Sequence, residues 1–226
     1  MFSPALVFDL GGVLLDWRPR VFVESLMPGI RLNANERDWL IQGVFQDYGP
    51  SSDWVAFDLN RLELGALCAR IAQRLSGSAD RTDRLLAAIP TPASIEAWIG
   101  AVADRLQPLE ASVDWLHSLR REGLPLYYLS NMPRLFIPKV LRHRKVFDCF
   151  EKGVFSGEVN LAKPDPAIFA LAAERFSHPS RSDTIFFDDH PANVAAARSF
   201  GWQSIHFDSL ESAQRQYKQL LASRMP

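Results

Sequence analysis

Three acids, a hydroxyl and a lysine recur where apolar runs of the sequence end. Asp9 closes the run in "PALVFDLGG", Ser130 and Asn131 close "LPLYYLSN", and Asp188 and Asp189 close "DTIFFDDH". Lys163 stands in "NLAKPDP", just before a helical stretch. A carboxylate at the end of a buried strand is costly unless its charge is used. Adjacent acids need a cation beside them. Each residue taken singly has a blander reading: Asp9 as a turn or cap residue, Ser130-Asn131 as loop chemistry, Lys163 as a surface lysine. Brought together on one edge, they make a reaction site.

One edge is what the surrounding elements imply. Beyond residue 108, apolar strand runs alternate with segments of helical period. "ASVDWLHSLRRE" carries Val113, Leu116 and Leu119 on one face, and "DPAIFALAAERF" carries Ile168, Leu171, Ala172 and Phe176. "FEKGVFSGEV" reads as a short strand with its turn, "PANVAAARSFG" as a helix, "QSIHF" as a last strand and 209–223 as a closing helix. Near-continuous apolar strands between helices predict an α/β fold, a doubly wound parallel sheet covered on both faces. Ligands bind such sheets beyond the carboxyl ends of the strands, where all of these polar residues fall. Residues 18–104 read instead as helices only ("RVFVESLM", "NANERDWLIQGVF", "LELGALCARIAQRL", "RTDRLLAAI", "ASIEAWIGAVADRL"). They predict an all-helical insertion after the first strand, leaving 1–17 and 105–226 as the core. The basic cluster "KVLRHRK" at 139–145 reads as a solvated helix face.

Composition narrows the partners. The chain has 226 residues, 47% of them hydrophobic and 23% charged, with a formal net charge of -1. No global basic field recruits nucleic acid or an anionic membrane. Cys68 and Cys149 lack metal-site spacing and make no disulfide framework. With no basic leader and no spanning segment in the sequence, a cytoplasmic location is the expectation. The oligomeric state is not encoded in any pattern found.

"FDLGGVL", "YYLSN", "LAKPDPAIF" and "IFFDDHPANVAAARSFG" resemble, in order, the four motifs of the haloacid dehalogenase superfamily. The resemblance implies a Rossmann-like core with the insertion as a small helical cap. The fourth stretch is most similar to the group containing glucose-1-phosphate phosphatase and the amino-terminal phosphatase domain of epoxide hydrolase. It further implies a phosphatase acting on a small phosphorylated metabolite, with sugar phosphates first. Asp9 would attack phosphorus and form an aspartyl-phosphate. Mg²⁺ would be held by Asp9, the Gly11 carbonyl and Asp189, with Asp188 supporting from behind and Asn193 standing where many relatives have a further acid. Ser130 and the Asn131 amide would donate to the phosphoryl oxygens, and Lys163 would balance charge.

At Gly11 the sequence departs from the pattern, because many such phosphatases have there a second Asp that protonates the leaving group. Asp16 is the nearest carboxyl in sequence. Gly11 also permits a 2-haloacid dehalogenase, in which Asp attacks carbon without metal, although the acidic pair argues against a carboxylate substrate. A catalytically weak phosphate-binding member of the fold is a third possibility. Trp17, Arg18, Arg20 and Trp54 are candidate cap or hinge residues near the ligand, and His190 reads as a solvated loop residue.

Overall fold

The computed structural model describes residues 4–49, 51–77, 83–177 and 181–223. The strands are β1 (Ala5–Phe8), β2 (Leu126–Ser130), β3 (Lys152–Phe155), β4 (Thr184–Asp188) and β5 (Gln203–His206). All pair in parallel, in the order β3-β2-β1-β4-β5. Phe8 lies opposite Tyr128 on one side and Phe187 on the other. Chain connections diverge on either side of β1, so the crevice for a ligand opens where β1 meets β4.

The helices between β1 and β2 are α1 (Pro19–Glu24), α2 (Ala34–Phe45), α3 (Asp53–Asp58), α4 (Leu64–Ser76), α5 (Asp83–Leu86) and α6 (Pro92–Arg105). Those after them are α7 (Glu110–Arg121), α8 (Ile137–Val140), α9 (Arg144–Phe147), α10 (Ser156–Val159), α11 (Pro166–Phe176), α12 (Pro191–Phe200) and α13 (Leu210–Ala222).

Alternation along each strand sends side chains to two cores. Val7, Leu129, Val154 and Phe186 pack with Ile168, Phe169 and Ala172 of α11 and with Trp202. Leu6, Phe8, Leu126, Ile185 and Phe187 pack with Val113 and Leu116 of α7 and Tyr217 of α13. This is the doubly wound parallel sheet expected of apolar strands buried on both faces.

Among the described residues the segment between β1 and β2 contains helices, one 3₁₀ turn (Gln46–Tyr48) and no strand of the sheet. The start of "RTDRLLAAI" (81–82) lies outside the described residues. Helix α3 was not legible as a helix, because six residues are too few to show a period. Ser52 caps it by accepting from the Val55 amide at 3.1 Å, and burial of Trp54 and Phe57 holds it. "KVLRHRK" differs from the solvated helix face expected. It breaks into α8 and α9, buries Val140, and ties Lys139 Nζ to the Gly100 carbonyl and the Asp104 carboxylate of α6, both at 2.7 Å.

The insertion is also pinned close to the sheet edge. Buried Ser156 donates its hydroxyl to the Asp58 carbonyl at 2.9 Å and accepts from the Met132 amide at 2.9 Å. Arg61 donates to the Asn160 carbonyl at 2.9 Å. The carboxyl end of α3 is thereby fixed against the loop that follows β2.

Candidate active site

At the end of β1, the Asp9 amide donates to the Phe187 carbonyl at 2.8 Å, which holds the aspartate in line with the sheet. Its Oδ1 accepts from the Leu10 amide at 2.7 Å and pairs with Lys163 Nζ at 2.9 Å. Oδ2 makes no hydrogen bond among the described residues and remains available for chemistry. Lys163 bridges to Asp188 at 2.6 Å and is itself 3% exposed. Asp188, fully buried, also accepts from the His190 amide at 2.8 Å and from the Asn193 carboxamide at 3.0 and 3.1 Å. This buried network fixes the ammonium between two carboxylates.

The sequence expectations about placement divide here. Asp9, Gly11, Ser130, Asn131, Lys163, Asp189 and Asn193 all line one cavity of about 270 Å³. Asp188 lies behind it, engaged with Lys163 and Asn193. The Ser130 hydroxyl has no partner among the described residues. The Asn131 side chain has a further role beside that of its backbone amide. Its carboxamide donates to the Lys163 carbonyl and accepts from the Lys163 amide, both at 2.9 Å, so the side chain holds the lysine loop in place.

His190 is exposed at the rim, where its backbone begins α12. Trp17 and Trp54 also line the cavity, with ring centroids 6.3 Å apart. Arg18 and Arg20 do not line it: Arg18 pairs with Asp16 at 2.6 Å and Arg20 with Asp38 at 2.8 Å. Asp16, paired with Arg18, lines a neighbouring cleft that shares Trp17 and Asp189 with the first and does not line the cavity itself.

Electrostatics mark the site as short of positive charge. Burial is the main reason that Asp9 is pushed up to about 6, with Lys163 opposing and Asp188 adding to the rise. Asp189 is pushed up to about 7 by burial and by repulsion from Asp9 and Asp188. Burial alone would lower Lys163, but Asp188 and Asp9 more than offset it and hold the ammonium charged. Carboxylate oxygens of Asp9, Asp188 and Asp189 lie within 4.8 Å of one another. One lysine does not neutralise this set, and all-oxygen donors suit a hard divalent cation. The Gly11 carbonyl accepts no hydrogen bond among the described residues, so it too can serve as a ligand.

Glycine geometry completes the loop. Gly12 has φ +71°, and a Cβ there would fall 2.2 Å from Asp189 Oδ2. The left-handed backbone and the missing side chain together leave room for the Asp189 carboxylate. Gly11 carries no positive φ, and a Cβ there would meet the Trp17 Cβ at 3.3 Å, a tight but not prohibitive contact.

Residues that the sequence did not single out complete the cavity. Asp58, 5% exposed at the end of α3, and Tyr48 face it from the insertion. Asp58 forms no ion pair among the described residues. The Tyr48 hydroxyl is buried and makes no close hydrogen bond among the described residues.

Comparison with known proteins matches residues 4–201 to the haloacid dehalogenase-like hydrolases. The chain is 25% identical over 209 residues to Aspergillus oryzae sesquiterpene phosphatase, covering 91% of each. It is 26% identical over 114 residues to a Pseudomonas putida (S)-2-haloacid dehalogenase, covering 47% of this chain and 50% of the relative. It is 27% identical over 229 residues to mouse acyl-CoA dehydrogenase family member 10, covering 96% of this chain but only 19% of that protein's length. Among solved structures, a haloacid dehalogenase family enzyme from Bacteroides thetaiotaomicron, an alanine mutant in complex with magnesium and inorganic phosphate, superposes with a TM-score of 0.64. That pair is 20% identical and covers 95% of this chain and 99% of the other.

Proposed function

The chain belongs to the haloacid dehalogenase-like hydrolases, and within them we propose that it is a Mg²⁺-dependent phosphatase of small phosphomonoesters. The carrying observation is the pairing, at one sheet edge, of an aspartate with one uncommitted oxygen and a buried ammonium, inside a three-carboxylate cluster. Asp9 Oδ2 attacks phosphorus, the bond to the leaving oxygen breaks, and an aspartyl-phosphate forms that water then hydrolyses. Lys163 balances charge on the attacking carboxylate and the phosphoryl group. The Ser130 hydroxyl and the Asn131 amide donate to phosphoryl oxygens, where charge must be held in the transition state. Asp9, the Gly11 carbonyl and Asp189 would hold Mg²⁺, which when bound offsets the repulsion between carboxylate and phosphate. Asn193 and Asp188 keep Lys163 and the acids in register.

The helical insertion acts as the cap that covers the site. Its walls favour an apolar leaving group over the sugar that resemblance alone suggests. Beyond the phosphate end, the cavity is lined by Leu15, Trp17, Trp54, Val55, Leu106 and Phe136. A sugar's hydroxyls would lose water there and find few partners. The Aspergillus oryzae relative, named for a sesquiterpene phosphate, fits the same preference. A second reading, the 2-haloacid dehalogenase, rests on Gly11 and the Pseudomonas putida relative. An uncompensated acidic cluster disfavours it, because a carboxylate substrate would be repelled.

The test is a panel of prenyl, alkyl, aryl and sugar phosphates, with Mg²⁺ or a chelator, and a 2-haloacid as control. Mg²⁺-dependent phosphate release, fastest for apolar esters, supports the reading. Chelator-insensitive halide release would establish the dehalogenase instead.

A further inference from the structure

Relatives that carry an acid two residues after the nucleophile protonate the leaving group from the core; here that position is Gly11, and Asp16, paired with Arg18, does not line the cavity. We propose that the acid has moved to the insertion: the carboxyl of Asp58, with the Tyr48 hydroxyl beside it, delivers the proton to the leaving oxygen. The inference rests on the phosphatase reading above.

Three observations carry it. Asp58, on the insertion, lines the same cavity as Asp9 and Lys163 on the sheet edge. It is buried, and no cation pairs with it among the described residues. Its position does not depend on a loosely held lid, because its own carbonyl is bound by Ser156, which also holds the Met132 amide in the loop following Ser130. Burial without a partner raises the Asp58 carboxyl well above the ordinary range, so it is protonated where a donor is needed.

Tyr48 adds a second polar atom at the same wall. Gln46, Asp47 and Tyr48 all have positive φ (50°, 52° and 54°), a run rare for residues other than glycine. The strained turn sets the Tyr48 ring on Phe45, with centroids 5.2 Å apart, and leaves its hydroxyl buried with no close hydrogen bond among the described residues. Such strain persists where the surroundings impose it, often at functional sites. Burial, with Asp58 and Asp189 adding to it, outweighs the opposing Trp17 side chain and pushes the phenol well above its ordinary range, so it stays protonated.

The proton balance closes over two half-reactions. As Asp9 Oδ2 bonds to phosphorus, the bond from phosphorus to the leaving oxygen breaks with its electron pair. That oxygen takes the Asp58 proton and departs as an alcohol, leaving Asp58 as carboxylate. In the second half, a water oxygen bonds to phosphorus and gives its proton to Asp58. The bond from Asp9 to phosphorus then breaks, releasing inorganic phosphate and restoring both groups.

The experiment measures kcat/KM on a series of alkyl and aryl phosphates for the full chain, Asp58→Asn, Asp58→Ser and Tyr48→Phe, with Mg²⁺ saturating. The two Asp58 variants guard against loss of fold in either one. Alkyl phosphates, whose leaving groups are basic, should fall about 10²–10³-fold in the Asp58 variants. Aryl phosphates should fall by less than about 10-fold, and Tyr48→Phe should show the same pattern at roughly a tenth of the size. A uniform loss across the series would make Asp58 a structural or binding residue and overturn the proposal. No phosphate release from any ester by the unaltered chain would overturn the phosphatase reading first, a result distinct from a uniform loss.

Discussion

The two walls of the cavity are built on opposite principles. On the sheet side, charged groups are committed: Lys163 pairs with Asp9 and Asp188, Asn193 holds Asp188, and Asn131 holds the lysine loop. On the insertion side, aromatic and aliphatic surface surrounds Asp58, whose carboxyl pairs with no cation among the described residues, and the Tyr48 hydroxyl, which is buried without a close hydrogen bond among them. On the proposed reading, the first wall is organised for charge that is always present, the phosphoryl group. The second is organised, on that reading, for a group that varies, the alcohol that leaves. Preorganised dipoles and ions suit the former, and shape with one well-placed proton suits the latter.

Substitutions can break this contrast wall by wall. Asp9→Asn keeps the shape of the side chain and removes the nucleophile, so turnover should fall at least about 10⁴-fold with near-normal thermal melting. Retained turnover in pure protein would remove Asp9 from the chemistry. Asp189→Asn should lower Mg²⁺ affinity by more than about 100-fold, read by a Mg²⁺ titration of activity and by calorimetry with Mg²⁺ alone. Asn131→Ala deletes both hydrogen bonds to the Lys163 backbone. It should cost roughly 1–3 kcal/mol of stability in denaturant titrations and slow all phosphate esters alike.

On the other wall, Trp17→Leu should raise KM for apolar esters by roughly 10-fold and leave sugar phosphates nearly unaffected. An equal rise for both would mean that the aromatic wall does not select. The smallest effect is thermodynamic. Asp58 has a raised carboxyl in the folded state, so the native chain binds a proton that the unfolded chain gives up above pH ~3.9. Stability therefore falls as pH rises through that window. Asp58→Asn should melt a few degrees higher than the parent near neutral pH, and the gap should close on acidification toward pH ~4.

The contrast also explains what could be read from sequence. Asp9, Ser130, Asp188 and Asp189 end apolar strands, and parallel pairing carries each of them to one edge. That inference needs only local pattern and the rule that such sheets bind ligands at one end. Lys163 follows from its place before α11. The insertion offers no such rule. Arg18 and Arg20, candidate cap or hinge residues near the ligand, pair with Asp16 and Asp38 outside the cavity. Asp58 and Tyr48 were not singled out, because their meaning depends on the short helix α3 and on a left-handed turn. Three consecutive positive φ values without glycine leave no pattern in composition. Trp17 and Trp54 were anticipated near the ligand and do line the cavity.

The covalent step on Asp9 separates the competing chemistries in one measurement. The chain is mixed with Mg²⁺ and an apolar phosphomonoester or, separately, with a 2-haloacid, quenched in acid within the first turnover, and digested for mass spectrometry. The phosphatase account expects one phosphoryl group on the peptide containing Asp9, present with the phosphomonoester and absent in Asp9→Asn. A carboxyalkyl ester on that same peptide after the haloacid, with no phosphoryl adduct from any phosphomonoester, would contradict it.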